Sequence, residues 1–457
     1  MNTPVPGSVA DSPAAAAAPP EVALPPTPWP WRLGIAAAVV GVWFVTYFLR
    51  DAVGHRGQAV AGVVCFLGVA AVFSKSLQSV SRKTLLWGIA LQFALAVAVI
   101  HVGAVRQVFE FVGGGIRALI TASDAGAVFV FGSLAKADGP NGFIFAFRAL
   151  PPIIFVSAFF SVLYYLGVLQ LLVKLMARVM MYLMGTSGAE TLSVAANVFM
   201  GQTEAPLIVK PFVPRMTRSE LLALMGSGMA HISGGMMAVY ISYGADPVAI
   251  LCTSVMACPC SLYLTKLVLP EAGIPATLGE TPIHAETPYV NVIDAAAGGV
   301  KDGLWLALNV AAMLIGFLAF IALFDMAVGA VVPGLNLETI FGRLFAPVAF
   351  LLGVESADTG RVGSLLGIKL AANEHVAYLK LKEWKQAGEA VLSERSQLIA
   401  VYALTGFANF ASVGIQLGGI GSIAPGRRAD LAKLGMRALF IGFLATLINA
   451  AVAGLLM

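Results

Sequence analysis

The chain has 457 residues, of which 59% are hydrophobic and 11% charged, where a soluble domain carries about 25% charged residues. A mean hydropathy of +0.87 and 48 glycines identify an all-α polytopic membrane protein with closely packed helices. The formal net charge of +4 is small for this length and points to neither a nucleic-acid nor an acidic partner.

Residues 1–28 are rich in Pro and Ala and have no basic or apolar segment, so a disordered tail is expected rather than a signal peptide. Residues 29–105 hold three apolar runs, Trp29 to Phe48, Val60 to Phe73 and Leu85 to Val102. The first and third approach the ~20 residues that cross a bilayer, and the second falls short. Residues 106–186 change texture. Arg106 to Leu134 mixes apolar residues with Glu110, Arg117 and Asp124 around Gly113, Gly114 and Gly115, which suggests an interrupted helix lying along the interface. Phe143 to Leu171 is a fourth span, and Val173 to Met184, with Lys174 and Arg178, reads as a surface helix.

Residues 187–268 carry the first strong functional signal. The stretch NVFMGQTEAPLIVKPF, Asn197 to Phe212, places Gln202, Thr203, Glu204 and Lys210 between apolar runs, with Pro206 and Pro211. Ionisable groups at membrane depth mark functional sites by default. Prolines free backbone groups that lipid-facing structure does not tolerate. A re-entrant hairpin with a polar tip satisfies both constraints. The next run, Leu221 to Tyr243, has His231 and Ser233 at its centre. Val248 to Val268 closes this unit, and its three cysteines, Cys252, Cys258 and Cys260, read as packing residues.

A polar loop, 269–302, divides the molecule, and a long span at 303–336 follows. Residues 337–430 repeat the plan. Ser364 to Tyr378 is punctured by Asn373, Glu374 and His375, a second hairpin candidate, and Ser396 to Gln416 holds Asn409 and Ser412 three apart on one expected helical face. A final span occupies 431–457. Interrupted segments at matching places in two halves point to the midplane site of an inverted-repeat transporter.

The residues leave alternatives open. Glu204 and Glu374 accept hydrogen bonds from a ligand, carry a proton, or snorkel to water, Glu204 with Lys210 as a possible ion-pair partner. An amide beside a carboxylate, as in Gln202 and Glu204, suits a nucleobase edge. Asn409 and Ser412 bind ligand or join helices, a contact worth ~0.6 kcal/mol. Phe407 and Phe410 stack on a ring or pack. His231 is a core histidine or a proton-handling group. Arg361, Lys210 and Lys266 read as interface or loop charges. An intramembrane enzyme and a receptor-like gate without net transport remain alternatives to a carrier, although no nucleophile stands beside a base.

From Gln107 to Leu456 the sequence resembles the concentrative nucleoside transporters. The resemblance rests on GQTEAPL at Gly201–Leu207, SVMACPCSLYLTKLVLPE at Ser254–Glu271, NVIDAAAGGVKDGLWLALNVAAML at Asn291–Leu314, NEHVAYLKL at Asn373–Leu381 and GFANFASVGIQLGGIGSIAPGRR at Gly406–Arg428. It implies a homotrimer in a bacterial inner membrane, each protomer a scaffold plus a mobile transport domain with two re-entrant hairpins and partly unwound helices. It implies nucleoside symport by an elevator-type cycle with no cofactor beyond co-transported Na+ or H+. By resemblance Gln202, Thr203 and Glu204 read the base, Met236 stands at the apolar base contact, and Glu374, Asn409 and Ser412 hold the ribose. The cation position takes Asn197, Met200, His231 and Ile232, with His231 where the family has a Ser or Thr. A neutral imidazole suits sodium poorly, because hard cations take oxygen. Glu204, His231 and Glu374 are therefore the proton-handling candidates. His375 stands where the family's N-E-F motif has its aromatic residue.

Overall fold

A computed structural model describes residues 19–136, 144–280, 289–386 and 392–457. Every regular element among them is helical. Nine of these helices or consecutive helix pairs are long and apolar enough to cross a membrane.

Residues 1–18 of the expected tail lie outside the described residues. From residue 19 the tail is docked, with Val22 N donating to Ala272 O at 2.8 Å and Thr27 Oγ1 to Ser74 O at 2.9 Å. Arg32 then donates to the Val72 and Ser74 carbonyls at 2.8 and 2.7 Å. Helix α1 (Trp29–Phe48) leads into α2 (Arg50–Val72), which at 23 residues is longer than the short run expected. Its polar first turns continue the helix through a kink at Gly54, whose φ of 64° favours glycine. α3 (Arg82–His101) is capped by Ser81, which accepts from Thr84 N at 3.2 Å. α4 (Gly103–Phe131) runs unbroken through Gly113–Gly115, so the expected interruption is absent, and its 29 residues suffice to span.

After short α5 (Phe145–Arg148), the chain builds one unit and then repeats it. The first unit is α6 (Leu150–Tyr165), α7 (Val168–Met184), a hairpin of α8 (Gly188–Ala196) and short α9 (Ala205–Ile208), a broken helix α10 (Arg218–Ala230) and α11 (Gly234–Ser242), and α12 (Pro247–Val268). The second is α13 (Val292–Val331), α14 (Leu337–Leu351), a hairpin of α15 (Thr359–Ala371) and α16 (Glu374–Gln386), a broken helix α17 (Glu394–Leu404) and α18 (Phe410–Ile423), and α19 (Arg428–Leu456). The units interlock: α6 packs on its equivalent α13 and α12 on its equivalent α19, while α10 on α19 is matched by α17 on α12. The expected span through Leu171 is two helices, because Gly167 with φ 80° turns the chain between α6 and α7. The polar loop is also shorter than expected. α13 begins at Val292, where Asn291 accepts from Asp294 N at 2.9 Å.

Local polar chemistry explains the breaks. Ser233 accepts from Met236 N at 3.4 Å and restarts the first broken helix at Gly234; Asn409 accepts from Ser412 N at 2.9 Å and restarts the second at Phe410. Asn373 accepts from Val376 N at 2.9 Å at the head of α16. Each is an N-cap, which satisfies a donor that the helix start leaves free. Asn409 therefore caps its helix instead of sharing a mid-helix face with Ser412. The two breaks touch: Phe407 N donates to His231 O at 3.0 Å. A Cβ on Gly406 would stand 2.7 Å from Thr446 Cγ2 and 3.0 Å from Ala230 O, so only glycine permits this approach.

Candidate substrate and cation site

Hairpin 1 is anchored at its base by two capping boxes, Ser187 with Glu190 at α8 and Thr217 with Glu220 at α10. Ser187 Oγ bonds Glu220 Oε1 at 2.5 Å. Lys266 Nζ lies 2.7 Å from Glu190 and 3.1 Å from Glu271, and donates to Ser219 Oγ at 3.0 Å. Lys266 is thus a buried structural cation, and its reading as an interface or loop charge is corrected: beside the nearby Glu271 it is held by Glu190, which is 76 residues away in sequence.

Between Asn197 and Glu204 the chain leaves the helix. Gly201 N donates to Glu204 Oε2 at 3.0 Å, which turns the accessible Glu204 back onto its own tip. Among the described residues no ion pair joins Glu204 to Lys210. Gln202 is buried and reaches across the molecule, its Nε2 donating to Ser412 Oγ at 3.3 Å. The Ser412 amide is held by Asn409 Oδ1, and Asn409 Nδ2 donates to Glu374 Oε2 at 3.0 Å. Glu374 Oε1 accepts from Tyr240 OH at 2.9 Å. One polar chain, Gln202–Ser412–Asn409–Glu374–Tyr240, therefore links the tips of both hairpins through both broken helices. Thr203 stands beside it without joining it, against Gly419, where a Cβ would meet Thr203 Cγ2 at 2.5 Å. Met236 is buried on α11, one turn before Tyr240.

Two of the four cation candidates, Asn197 and His231, meet at Ser227. Asn197 Nδ2 donates to Ser227 Oγ at 3.0 Å and Ser193 O at 3.2 Å, which leaves Asn197 Oδ1 buried without a partner. His231 Nδ1 lies 2.8 Å from Ser227 O. A carbonyl only accepts, so Nδ1 carries the proton, and Nε2 faces the Cys258 thiol at 3.4 Å. Ile232 is fully buried in the break, and Met200 is half-buried on the tip. An amide oxygen without a donor fits a hard cation, whereas the imidazole does not. His375 Nε2 meets Tyr243 OH at 3.0 Å, with Phe145 edge-on at 5.8 Å, so it ties α16 to α11 and α5.

Three partners were not singled out in the sequence, and a fourth, Cys258, was read only as packing. Tyr240 supplies a hydroxyl to Glu374 and stacks on Tyr378 at 4.2 Å. Its i+4 spacing from Met236 was the available signal. Ser227 and Cys258 frame His231, and Cys258 is a hydrogen-bond partner as well as packing. Gln416, one turn beyond Ser412, donates to Met225 O at 2.9 Å and keeps a buried Oε1 without a partner, as Gln202 does. An amide among the apolar residues of α18 was its signal.

Two interrupted hairpins meeting two unwound helices at a buried polar chain define a polytopic secondary transporter of repeated architecture. A profile described as the Na+ dependent nucleoside transporter C-terminus matches residues 249–454, the corresponding N-terminus profile matches 61–134, and a nucleoside recognition (Gate) profile matches 146–247. An uncharacterized transporter of Haemophilus influenzae is 40% identical over 87% of this chain and 97% of its own length. The sodium/nucleoside cotransporter 1 of Mus musculus is 39% identical over 93% of this chain and 68% of its own length. The structure of CNTnw in an inward-facing substrate-bound state superposes with a TM-score of 0.82 at 36% identity, over 87% of this chain and 97% of that one. The chain belongs to the Na+-dependent, concentrative nucleoside transporter family. Its relatives are transporters, and the intramembrane-enzyme alternative is set aside.

Proposed function

We propose that the chain carries a nucleoside together with a cation, sodium or a proton, across the inner (plasma) membrane of a bacterium by an elevator-type cycle, as a homotrimer. The observation that carries this reading is the polar chain from Gln202 to Tyr240, which places both hairpin tips on one small volume. Gln202, Thr203 and Glu204 read the base, with Met236 as the apolar wall. Glu374, Asn409 and Ser412 hold the ribose hydroxyls: a carboxylate accepts from a vicinal diol, and an amide and a hydroxyl complete the ring of partners.

The cation binds at the first hairpin tip, among Asn197, Met200, His231 and Ile232. The unpartnered Asn197 Oδ1 supports an ion there, and His231 in place of a hydroxyl supports a proton. Glu204, His231 and Glu374 are the groups that would carry that proton. In the proposed division, α6 and α13 form the scaffold and the hairpins with the broken helices move against it. Large exposed apolar residues on α13, among them Trp305, Ile315 and Phe320, support contacts to lipid and to further copies. One charge moved through 100 mV supplies ~2.3 kcal/mol, enough for a roughly 50-fold concentration ratio.

The test is uptake of tritiated uridine into proteoliposomes under an imposed sodium gradient or an imposed pH gradient. Accumulation driven by one of the two supports the reading and names the ion. Uptake indifferent to both removes symport, and binding without uptake makes the protein a gate.

A further inference from the structure

Lys369 lies two residues before the end of α15, in the first arm of hairpin 2, and is 0% exposed. Its ammonium donates to Ala403 O at 2.7 Å and to Thr446 Oγ1 at 2.8 Å, and lies 5.6 Å from the Phe443 ring centroid. Ala403 is the penultimate residue of α17. Its carbonyl is therefore one of the four that a helix leaves without an intrahelical partner, at the negative pole of the helix dipole. Among the described residues no carboxylate lies within ion-pair distance of Lys369. Burying an ammonium costs several kcal/mol unless its surroundings compensate, so this placement requires a reason.

The repeat supplies one. In the first unit the last turn of α10 and the end of hairpin arm α8 frame the cation position, where Asn197 brings only a neutral amide. In the second unit the end of hairpin arm α15 brings an ammonium to the last turn of α17. We infer that Lys369 is a tethered cation occupying, in the second repeat, the place that a transported cation takes in the first. It closes the end of α17 just before the break that carries Asn409. It is a positioning residue for the hydroxyl-binding half of the site, and this inference rests on the nucleoside reading above.

The test is displacement of tritiated uridine from the purified full-length protein by uridine, 2′,3′-dideoxyuridine and cytidine, for the wild type, Lys369→Gln and Lys369→Arg. Lys369→Gln should weaken uridine binding by about 10- to 100-fold. It should also lower the preference for uridine over the dideoxynucleoside by about tenfold while the uridine-to-cytidine ratio holds. Lys369→Arg should keep the hydroxyl preference within about threefold of wild type. Unchanged hydroxyl preference in Lys369→Gln, or an equal change in base preference, overturns the inference. If Lys369→Gln does not fold, loss of the hydroxyl preference in Lys369→Arg overturns it alone. Failure of the wild type to bind uridine strikes the nucleoside reading instead.

Discussion

The two hairpins reach the site by the same plan and present different chemistry there. Hairpin 2 arrives with its Glu374 carboxylate satisfied, although His375 Nδ1 is buried without a partner. Glu374 accepts from two donors, and Asn409 uses both ends of its amide. Hairpin 1 arrives with work left over. Glu204 is accessible and bonded only to its own turn, and the oxygens of Asn197 and Gln202 are buried without a donor. Buried polar atoms are costly unless paired. At the hairpin tips the unpaired oxygens of Asn197 and Gln202 leave room for a ligand or ion, whereas the paired Glu374 and Asn409 are pre-organised. On the proposed reading the second repeat would fix the sugar, and the first repeat would take up the variable cargo, base and cation.

The largest expected effect lies in the second repeat. Glu374→Gln removes the carboxylate shared by Tyr240 and Asn409, and uridine uptake should fall by about 100-fold or more, because hydrogen bonds to charged groups are each worth about 1.5–3 kcal/mol. A Glu374→Gln protein that still transports within about threefold of wild type would break the comparison. Lys266→Met should destabilise the base of hairpin 1 by about 3–5 kcal/mol, because it leaves the Glu190 carboxylate buried without its cation. Denaturation in detergent followed by far-UV circular dichroism reads this, and an unchanged midpoint would deny the ion cluster its structural role.

Tyr240→Phe removes one donor and keeps the Tyr378 stack. KM for uridine should rise about fivefold to tenfold with base preference intact. The smallest effect belongs to Cys258→Ala. A thiol is a weak donor, so uptake should change by less than about threefold; a larger loss would show that the His231–Cys258 contact tunes the ion.

Much of this comparison was legible in the sequence. The polar punctures at Gln202–Glu204 and Asn373–Glu374 stood out because lipid makes such residues expensive, and the structure brings Gln202 and Glu374 into one chain. The helix breaks were less legible. Ser233 and Asn409 read as polar residues inside helices, and their role as caps depends on backbone geometry that spacing does not encode. Lys369 was open to the same reasoning as Glu374, as an ionisable residue in an apolar run. It passed unnoticed because its partners, Ala403 and Thr446, are 34 and 77 residues away. The short run at Val60–Phe73 lies in a longer helical segment, Arg50–Val72, whose polar start is set off from the rest by the non-helical Gly54.

The division of labour between the repeats is tested most directly by binding competition on the purified protein, comparing Gln202→Ala with Asn409→Ala. The account predicts that Gln202→Ala changes the uridine-to-cytidine ratio and leaves the preference for ribose over dideoxyribose intact, and that Asn409→Ala does the reverse. Equal shifts of both preferences in either variant, or no shift in both, would contradict it.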